Sequence, residues 1–158
     1  MESNGRPIRN SAKAVIIHDH KVLLTKNEDR DGYFYLFPGG GQEKGEELKD
    51  AVVRECMEEV GCKVIVKDLL FVREYIAKNH QFAKWDGDLH QVEFYFECEL
   101  DGEEIEASEW RSSNPDEDQV GVEWIELRQL DQIRLYPAGL VKALMNGDYS
   151  RRYVGDTN

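Results

Sequence analysis

Three acidic residues stand close enough together to do chemistry as a group: Glu55, Glu58 and Glu59, in the stretch Arg54-Glu55-Cys56-Met57-Glu58-Glu59-Val60-Gly61. At about 100° per residue, a helix through this stretch gathers all three carboxylates into one arc of about 100°. The arrangement opposes helix stability. Glu55 and Glu59 form a like-charge i,i+4 pair. Glu58 and Glu59 sit in the last turn before Gly61, where the helix dipole is negative and disfavours each acid by about 0.3–1 kcal/mol. A hard divalent cation offsets such crowding: Mg²⁺ prefers carboxylate oxygens, keeps several waters and binds phosphate oxygens at the same time. A solvated acidic face is the ordinary fate of a glutamate run, so the acids alone leave the two readings level.

The surrounding elements tip the balance. Residues 46–60 have helical spacing, and Gly61 is a natural stop. On that helix Val52, Val53, Cys56 and Val60 fill the arc beside the acids, which predicts that one edge packs on a sheet while the other opens to a cleft. Ala51 leaves room above the carboxylates. Pro38 and the glycines Gly39, Gly40 and Gly41 break the chain before the helix and let backbone approach a ligand. That loop is expected to deliver an anion near the helix start, where free N–H groups favour negative charge. Arg54 can pair with Glu46 and fix the loop against the helix.

Strand patterns flank this unit. Residues 11–18 and 21–26 read as strands joined by a turn at Asp19-His20, and 33–37 form a short apolar run. One long or two short strands fit 62–76. In 89–100, Val92, Phe94, Phe96 and Cys98 alternate with Glu93, Tyr95, Glu97 and Glu99, which predicts a strand with an apolar and a polar face. Another strand fits 120–126, and a last helix fits 137–146 with Pro137 near its first turn. The pattern is a mixed α/β domain. At 158 residues a single domain over 1–158 is expected, with 1–10 and 150–158 as frayed tails. No apolar run approaches the ~18 residues of a membrane span, and the start Met1-Glu2-Ser3-Asn4 lacks the apolar core of a signal peptide. The expectation is a cytoplasmic protein without a membrane partner. Cys56, Cys62 and Cys98 are odd in number and lack Cys-x-x-Cys spacing, which argues against a disulfide framework or a zinc site. A net charge of -12 argues against a long nucleic acid as partner, because such binders carry a basic patch.

The segment Gly40 to Cys62 resembles the signature box of the Nudix hydrolases, MutT-like nucleotide pyrophosphohydrolases. Gly40, Glu46, Arg54, Glu55, Glu58, Glu59 and Gly61 match its seven fixed positions, while Cys56 and Cys62 stand where aliphatic residues are usual. Cysteine behaves as a small buried hydrophobe, so that departure is mild. The resemblance implies an α/β/α sandwich with a mixed β-sheet. It implies a metal site of Gly40, Glu55, Glu58 and Glu59 holding Mg²⁺, with Mn²⁺ as a substitute. It makes Glu55 a candidate base and Glu46 with Arg54 a structural pair. A further acid outside the box often takes part in the family; Glu93, Glu117 and Asp118 are candidates, and for each an ordinary surface acid is the commoner outcome.

The implied reaction is hydrolysis of a pyrophosphate bond in a small nucleotide-like substrate: a nucleoside diphosphate linked to another moiety, such as ADP-ribose, or a (d)NTP. Tyr33, Tyr35 and Trp85 are candidates to stack on a base, and Arg30 and Arg73 to reach phosphates. Core packing and solvation are the commoner roles of these types. Secondary signatures for ADP-ribose, dinucleoside polyphosphates and NADH are absent downstream of the box. The alternatives are a catalytically silent ligand-sensing domain, which would commonly lack some box acids, and an RNA-end pyrophosphohydrolase. A homodimer is left open.

Overall fold

A computed structural model describes residues 5–81, 87–102 and 118–158. The candidates Trp85 and Glu117 lie outside the described residues. Strands β1 (Arg9–His18) and β2 (Lys21–Asp29) form a hairpin through Asp19 and His20, whose φ values of 52° and 62° are both left-handed. Two such residues make a turn that matches the right-handed twist of the paired strands. The chain continues through β3 (Gly32–Leu36), β4 (Gly39–Gly41), helix α1 (Leu48–Glu59), β5 (Val64–Ile76), β6 (His90–Leu100), β7 (Gln119–Glu126), β8 (Leu135–Tyr136), helix α2 (Val141–Asn146) and β9 (Tyr153–Asp156).

The strands make one mixed, curled sheet in the order β8-β3-β2-β1-β6-β5-β9, with β4 on β1 and β7 on β2. Strand β1 is the hinge of the curl. Residues 9–16 run parallel to β6, Ser11–Lys13 also pair with β4, and Ile17–His18 pass to β2. Alternation along β1 feeds two cores. Ala12, Ala14 and Ile16 pack with Ala51, Val52 and Cys56 of α1 and with Val60 just past its end. Val15 packs the other way, with Phe71, Tyr95, Leu140 and Leu144 beneath α2. Each fully buried side chain of this size contributes about 1.5–3 kcal/mol. Helices cover both faces, which is the expected α/β/α sandwich.

Several details differ from the sequence-based expectation. Gly39–Gly41 form a strand instead of a break, because β1 offers them ladder partners at Ala12 and Lys13. Val53 is 39% exposed; it lies farthest round the helix from the acids and misses the sheet. Glu93 and Tyr95 are buried, at 4% and 1% exposed. Tyr95 packs in the core with Phe37 and Leu140, and Glu93 faces the buried Arg73, so this half of the polar face is covered, while Glu97 and Glu99 farther along it are exposed. The span 150–158 is not frayed: β9 runs parallel to β5, and the Thr157 N–H donates to the Glu74 carbonyl at 3.2 Å. Near the start, β1 already begins at Arg9, and Arg6 pairs with Asp88, its Nε 2.9 Å from Oδ1. Among the described residues no helix is long and apolar enough to cross a membrane.

Candidate active site

Helix α1 starts after Glu47 with no side-chain cap and ends as the Gly61 N–H turns back to the Cys56 carbonyl at 3.0 Å, with Gly61 at φ 85°. Strand β4 crosses beside it. Gly39 has φ 145°, and a Cβ there would stand 2.1 Å from the Ala12 carbonyl oxygen. A Cβ on Gly40 would stand 2.7 Å from the Glu55 carboxylate. One glycine is therefore needed for strand pairing, and the other lets a carboxylate lie on the backbone. Both meet the middle and C-terminal part of α1. The expected delivery of ligand to the helix start is thus corrected. Residues 41–47 must travel back along the helix before it begins, held by Gln42 Nε2 on the Glu46 carbonyl at 2.8 Å.

The acids differ in setting. Glu59 is 3% exposed, and its Oε2 accepts the Gly39 N–H at 2.7 Å. Its carbonyl accepts Gln119 Nε2 at 2.8 Å, tying β7 to the helix end. Glu55 and Glu58 share one donor: Arg54 Nη1 lies 3.0 Å from Glu55 Oε1 and 3.3 Å from Glu58 Oε2. The rest of the guanidinium grips the loop, with Nη2 at 2.8 Å and Nε at 3.1 Å from the two Glu46 oxygens and Nη2 at 3.0 Å from the Gly41 carbonyl. The hydrogen bond from Arg54, helped by the Glu43 N–H, holds the Glu46 carboxyl below the usual range. Burial pushes the Glu55 carboxyl up, and Arg54 only partly offsets it.

Among the described residues, no three His, Cys, Asp or Glu side chains already converge as a closed metal cage. Arg54 Nη1 stands between Glu55 and Glu58, and Glu59 is turned to Gly39. The donor set nonetheless fits a hard cation. It consists of carboxylates beside bare glycine backbone, and two of these carboxylates already converge on a single positive nitrogen.

A cavity of about 380 Å³ lies on the Lys13 side of these acids, none of which lines it. Lys13 joins the two regions: it lines the cavity, its Nζ is 3.5 Å from the Gly39 carbonyl, and its charge is felt by both Glu55 and Glu93. Glu93 forms part of the wall. Burial alone would push its carboxyl up, but the charges of Lys13 and Arg73 and the donors Tyr95 and Arg73 hold it below the usual range. Phe34 and Tyr136 also line it, edge to face at 6.1 Å. Arg134 lies over both rings, 5.0 and 5.6 Å from their centroids, and grips Asp29 with two bonds at 2.9 and 2.7 Å. That grip brings the Asp29 carboxyl down to about 2.

The substrate candidates separate. Tyr35 belongs to the core, 9% exposed with its OH 3.5 Å from Glu123 Oε2, so it is not a stacking face. Tyr33 is 51% exposed and carries Lys26 over its ring, outside the cavity. Arg30 is exposed and also outside. Arg73 does line the cavity, but as the buried partner of Glu93, with Nε 2.7 Å from Oε1, and not as a solvated arm for phosphate. Asp118 borders the cavity and its carbonyl accepts the Glu28 N–H at 3.0 Å. Lys13, Phe34, Asp29 and Tyr136 were missed. Lys13 left a trace, as the one charge inside Ala-Lys-Ala-Val-Ile-Ile. Tyr136 left none, since a two-residue strand has no period.

A model of the NUDIX domain matches residues 7–144. The uncharacterized Nudix hydrolase YvcI of Bacillus subtilis (strain 168) is 37% identical over 73 residues, 45% of each chain. Nucleoside diphosphate-linked moiety X motif 6 of Xenopus laevis is 34% identical over 82 residues, 51% of this chain and 37% of that one. The matched stretches span less than half the length of these two relatives. Among solved structures, a NUDIX hydrolase from Nitrosomonas europaea superposes with a TM-score of 0.69 at 20% identity, covering 93% of both chains. That likeness speaks for the fold.

Proposed function

The chain belongs to the Nudix hydrolase family, and from that premise we propose that it is a Mg²⁺-dependent pyrophosphohydrolase of a small nucleotide-like substrate, either a nucleoside diphosphate linked to a second moiety or a (d)NTP. The observation that carries this reading is the seating of Glu55 and Glu59 on the bare backbone of Gly39 and Gly40, beside a cavity with an aromatic wall. Gly40, Glu55, Glu58 and Glu59 are the residues to hold the cation, Mn²⁺ serving as a substitute. When bound, such an ion supplies Lewis acidity to the pyrophosphate and to the attacking water.

The protein's own groups do the rest. Arg54 keeps Glu46 and the Gly41 carbonyl, so loop 41–46 stays pinned to α1 while Nη1 releases Glu55 and Glu58 to the cation. Lys13, at the junction of cavity and acids, binds substrate oxygens. Phe34 and Tyr136 present rings to a base, a contact worth about 1–3 kcal/mol. Glu93 accepts or orients the proton of the attacking water; its lowered affinity for protons keeps it charged at neutral pH. Glu55, whose proton affinity is raised, is the other candidate base. Retention of every box acid favours turnover over a silent sensing role. The buried thiols of Cys56, Cys62 and Cys98 suit a reducing, cytosolic setting.

The test is a product-release screen with Mg²⁺ across ADP-ribose, nucleotide sugars, dinucleoside polyphosphates, (d)NTPs and a 5′-triphosphorylated RNA. The expected result is one small-molecule class turned over well above the rest and lost in Glu58→Gln. Turnover confined to RNA would overturn the small-substrate reading. No turnover from folded protein would overturn the enzyme reading.

A further inference from the structure

Arg73 sits in the wall of the cavity with its side chain 7% exposed. Its Nε donates to Glu93 Oε1 at 2.7 Å, its Nη1 donates to the Thr157 carbonyl, and its guanidinium lies 5.2 Å from the Tyr75 ring centroid. The Tyr95 hydroxyl donates to the same Glu93 oxygen at 2.5 Å. Two donors on Oε1 leave Oε2 outside these bonds. Glu93 lines the cavity, and Oε2 is its oxygen that neither donor occupies. A buried carboxylate is thus oriented by a buried guanidinium, and a charge in that position needs such a partner to stay ionised.

The guanidinium is in turn held from the C-terminal segment. The Val72 N–H donates to the Arg152 carbonyl at 2.7 Å and the Thr157 N–H to the Glu74 carbonyl at 3.2 Å, so β9 lies along β5 on both sides of Arg73. Asp156 hooks the strand in place: its oxygens accept the Ile76 N–H at 2.9 Å and Asn79 Nδ2 at 2.9 Å, and His80 Nε2 lies 2.7 Å from Oδ1. Asn158 then reaches the cavity wall.

We propose that Arg73 is a positioning residue for Glu93 in the hydrolytic reaction, and that the segment 153–157 belongs to the active site because it holds Arg73 in place. The inference rests on the pyrophosphohydrolase reading and deepens it. Arg73 touches no reacting atom; it fixes which oxygen of Glu93 faces substrate. Segment 153–157 is a distant edge strand in sequence, and its contribution passes through one backbone carbonyl.

The experiment is a double-mutant cycle in steady-state kinetics on the full chain with Mg²⁺ and the best substrate of the screen. It compares wild type, Arg73→Lys, Arg73→Met, Asp156→Ala and Glu93→Gln, and Arg73→Lys, Arg73→Met and Asp156→Ala each combined with Glu93→Gln. Arg73→Lys is expected to lower kcat about tenfold with KM within about twofold, while the same change in the Glu93→Gln background costs less than about twofold, since residues acting as one unit are not additive. Arg73→Met should lose more than Arg73→Lys, showing rescue by the retained charge. Asp156→Ala should lower kcat in the same direction, again only when Glu93 is present. Factors that multiply independently of Glu93, or a rise in KM alone, would overturn the positioning role. Unchanged kcat in Asp156→Ala would overturn the part given to the segment. If Arg73→Met fails to fold, Arg73→Lys and Asp156→Ala still decide. Wild-type protein without turnover would overturn the functional reading together with the inference; turnover with multiplicative effects overturns the inference alone.

Discussion

Replacing Glu59 by glutamine separates the helix's need for shape from the site's need for charge. Glu59 Oε2 accepts the Gly39 N–H at 2.7 Å from a side chain that is 3% exposed. A hydrogen bond to a charged acceptor is worth about 1.5–3 kcal/mol net and a neutral one about 0.5–1.5, so an amide oxygen in the same place loses about 1 kcal/mol. The change also removes a negative charge from the last turn of α1, a gain of about 0.3–1 kcal/mol. It relieves the like-charge pair with Glu55 by a few tenths more. These terms nearly cancel, so the midpoint of thermal unfolding without metal should move by less than about 4 °C. Glu59→Ala instead leaves the N–H unpaired and empties buried volume, a loss of about 2–4 kcal/mol. Both variants should lose turnover by at least about 100-fold, because several kcal/mol of transition-state stabilisation depend on the cation. Thermal unfolding without metal, followed by fluorescence, reads the stabilities; initial rates with Mg²⁺ read the chemistry. A Glu59→Gln protein as unstable as Glu59→Ala, or one that retains wild-type rates, would refute the reasoning.

Other outcomes follow from the same geometry. Gly40→Ala drives a Cβ to 2.7 Å from the Glu55 carboxylate, the movable end of a side chain; stability should change by less than about 1 kcal/mol, while Mn²⁺ affinity, read by calorimetry, falls about 10–100-fold. Gly39→Ala meets backbone at 2.1 Å from a φ of 145° and should lose about 3 kcal/mol or more in denaturant midpoints. Glu93 is held below the usual carboxylate range, so its charge contributes stability above about pH 4.3 that disappears as pH falls through the lower folded value; the margin of wild type over Glu93→Gln in urea should shrink on acidification below that point and stay constant above it. Saturating Mg²⁺ should raise the unfolding free energy, by about 2.7 kcal/mol at 100 times Kd, and should do so less in Glu58→Gln.

The box helix was legible because every signal agreed: a period near 3.6, a glycine stop at Gly61, and acids whose mutual repulsion called for a partner. The hairpin at Asp19-His20 and the strand under Val92 to Cys98 were legible for the same reason. What escaped depends on contacts far apart in sequence. Glu93 and Tyr95 looked like the wet side of β6, and only the core beneath α2 and the side chain of Arg73, both supplied from elsewhere in the chain, bury them. Arg73 looked like a free cation, because nothing local announces a partner twenty residues away. The glycines after Pro38 read as a break, since a three-residue strand exists only by virtue of β1. Strand β9 is likewise specified by the edge of β5 and not by its own four residues. The cavity wall drew on β1, β3, β6 and β8 together, and single residues such as Lys13, Phe34 and Tyr136 carry no period that marks them.

The most direct test titrates Mg²⁺ into metal-free enzyme while following pyrophosphate-bond cleavage of the preferred substrate, in wild type and in Glu58→Gln and Glu59→Gln. The proposed site predicts no cleavage without the ion, saturable activation in wild type, and in both variants a weaker apparent affinity for the ion with a much lower plateau. Cleavage that persists in strong chelator, or activation curves that superpose for all three proteins, would contradict the assignment of these carboxylates as the centre of the reaction.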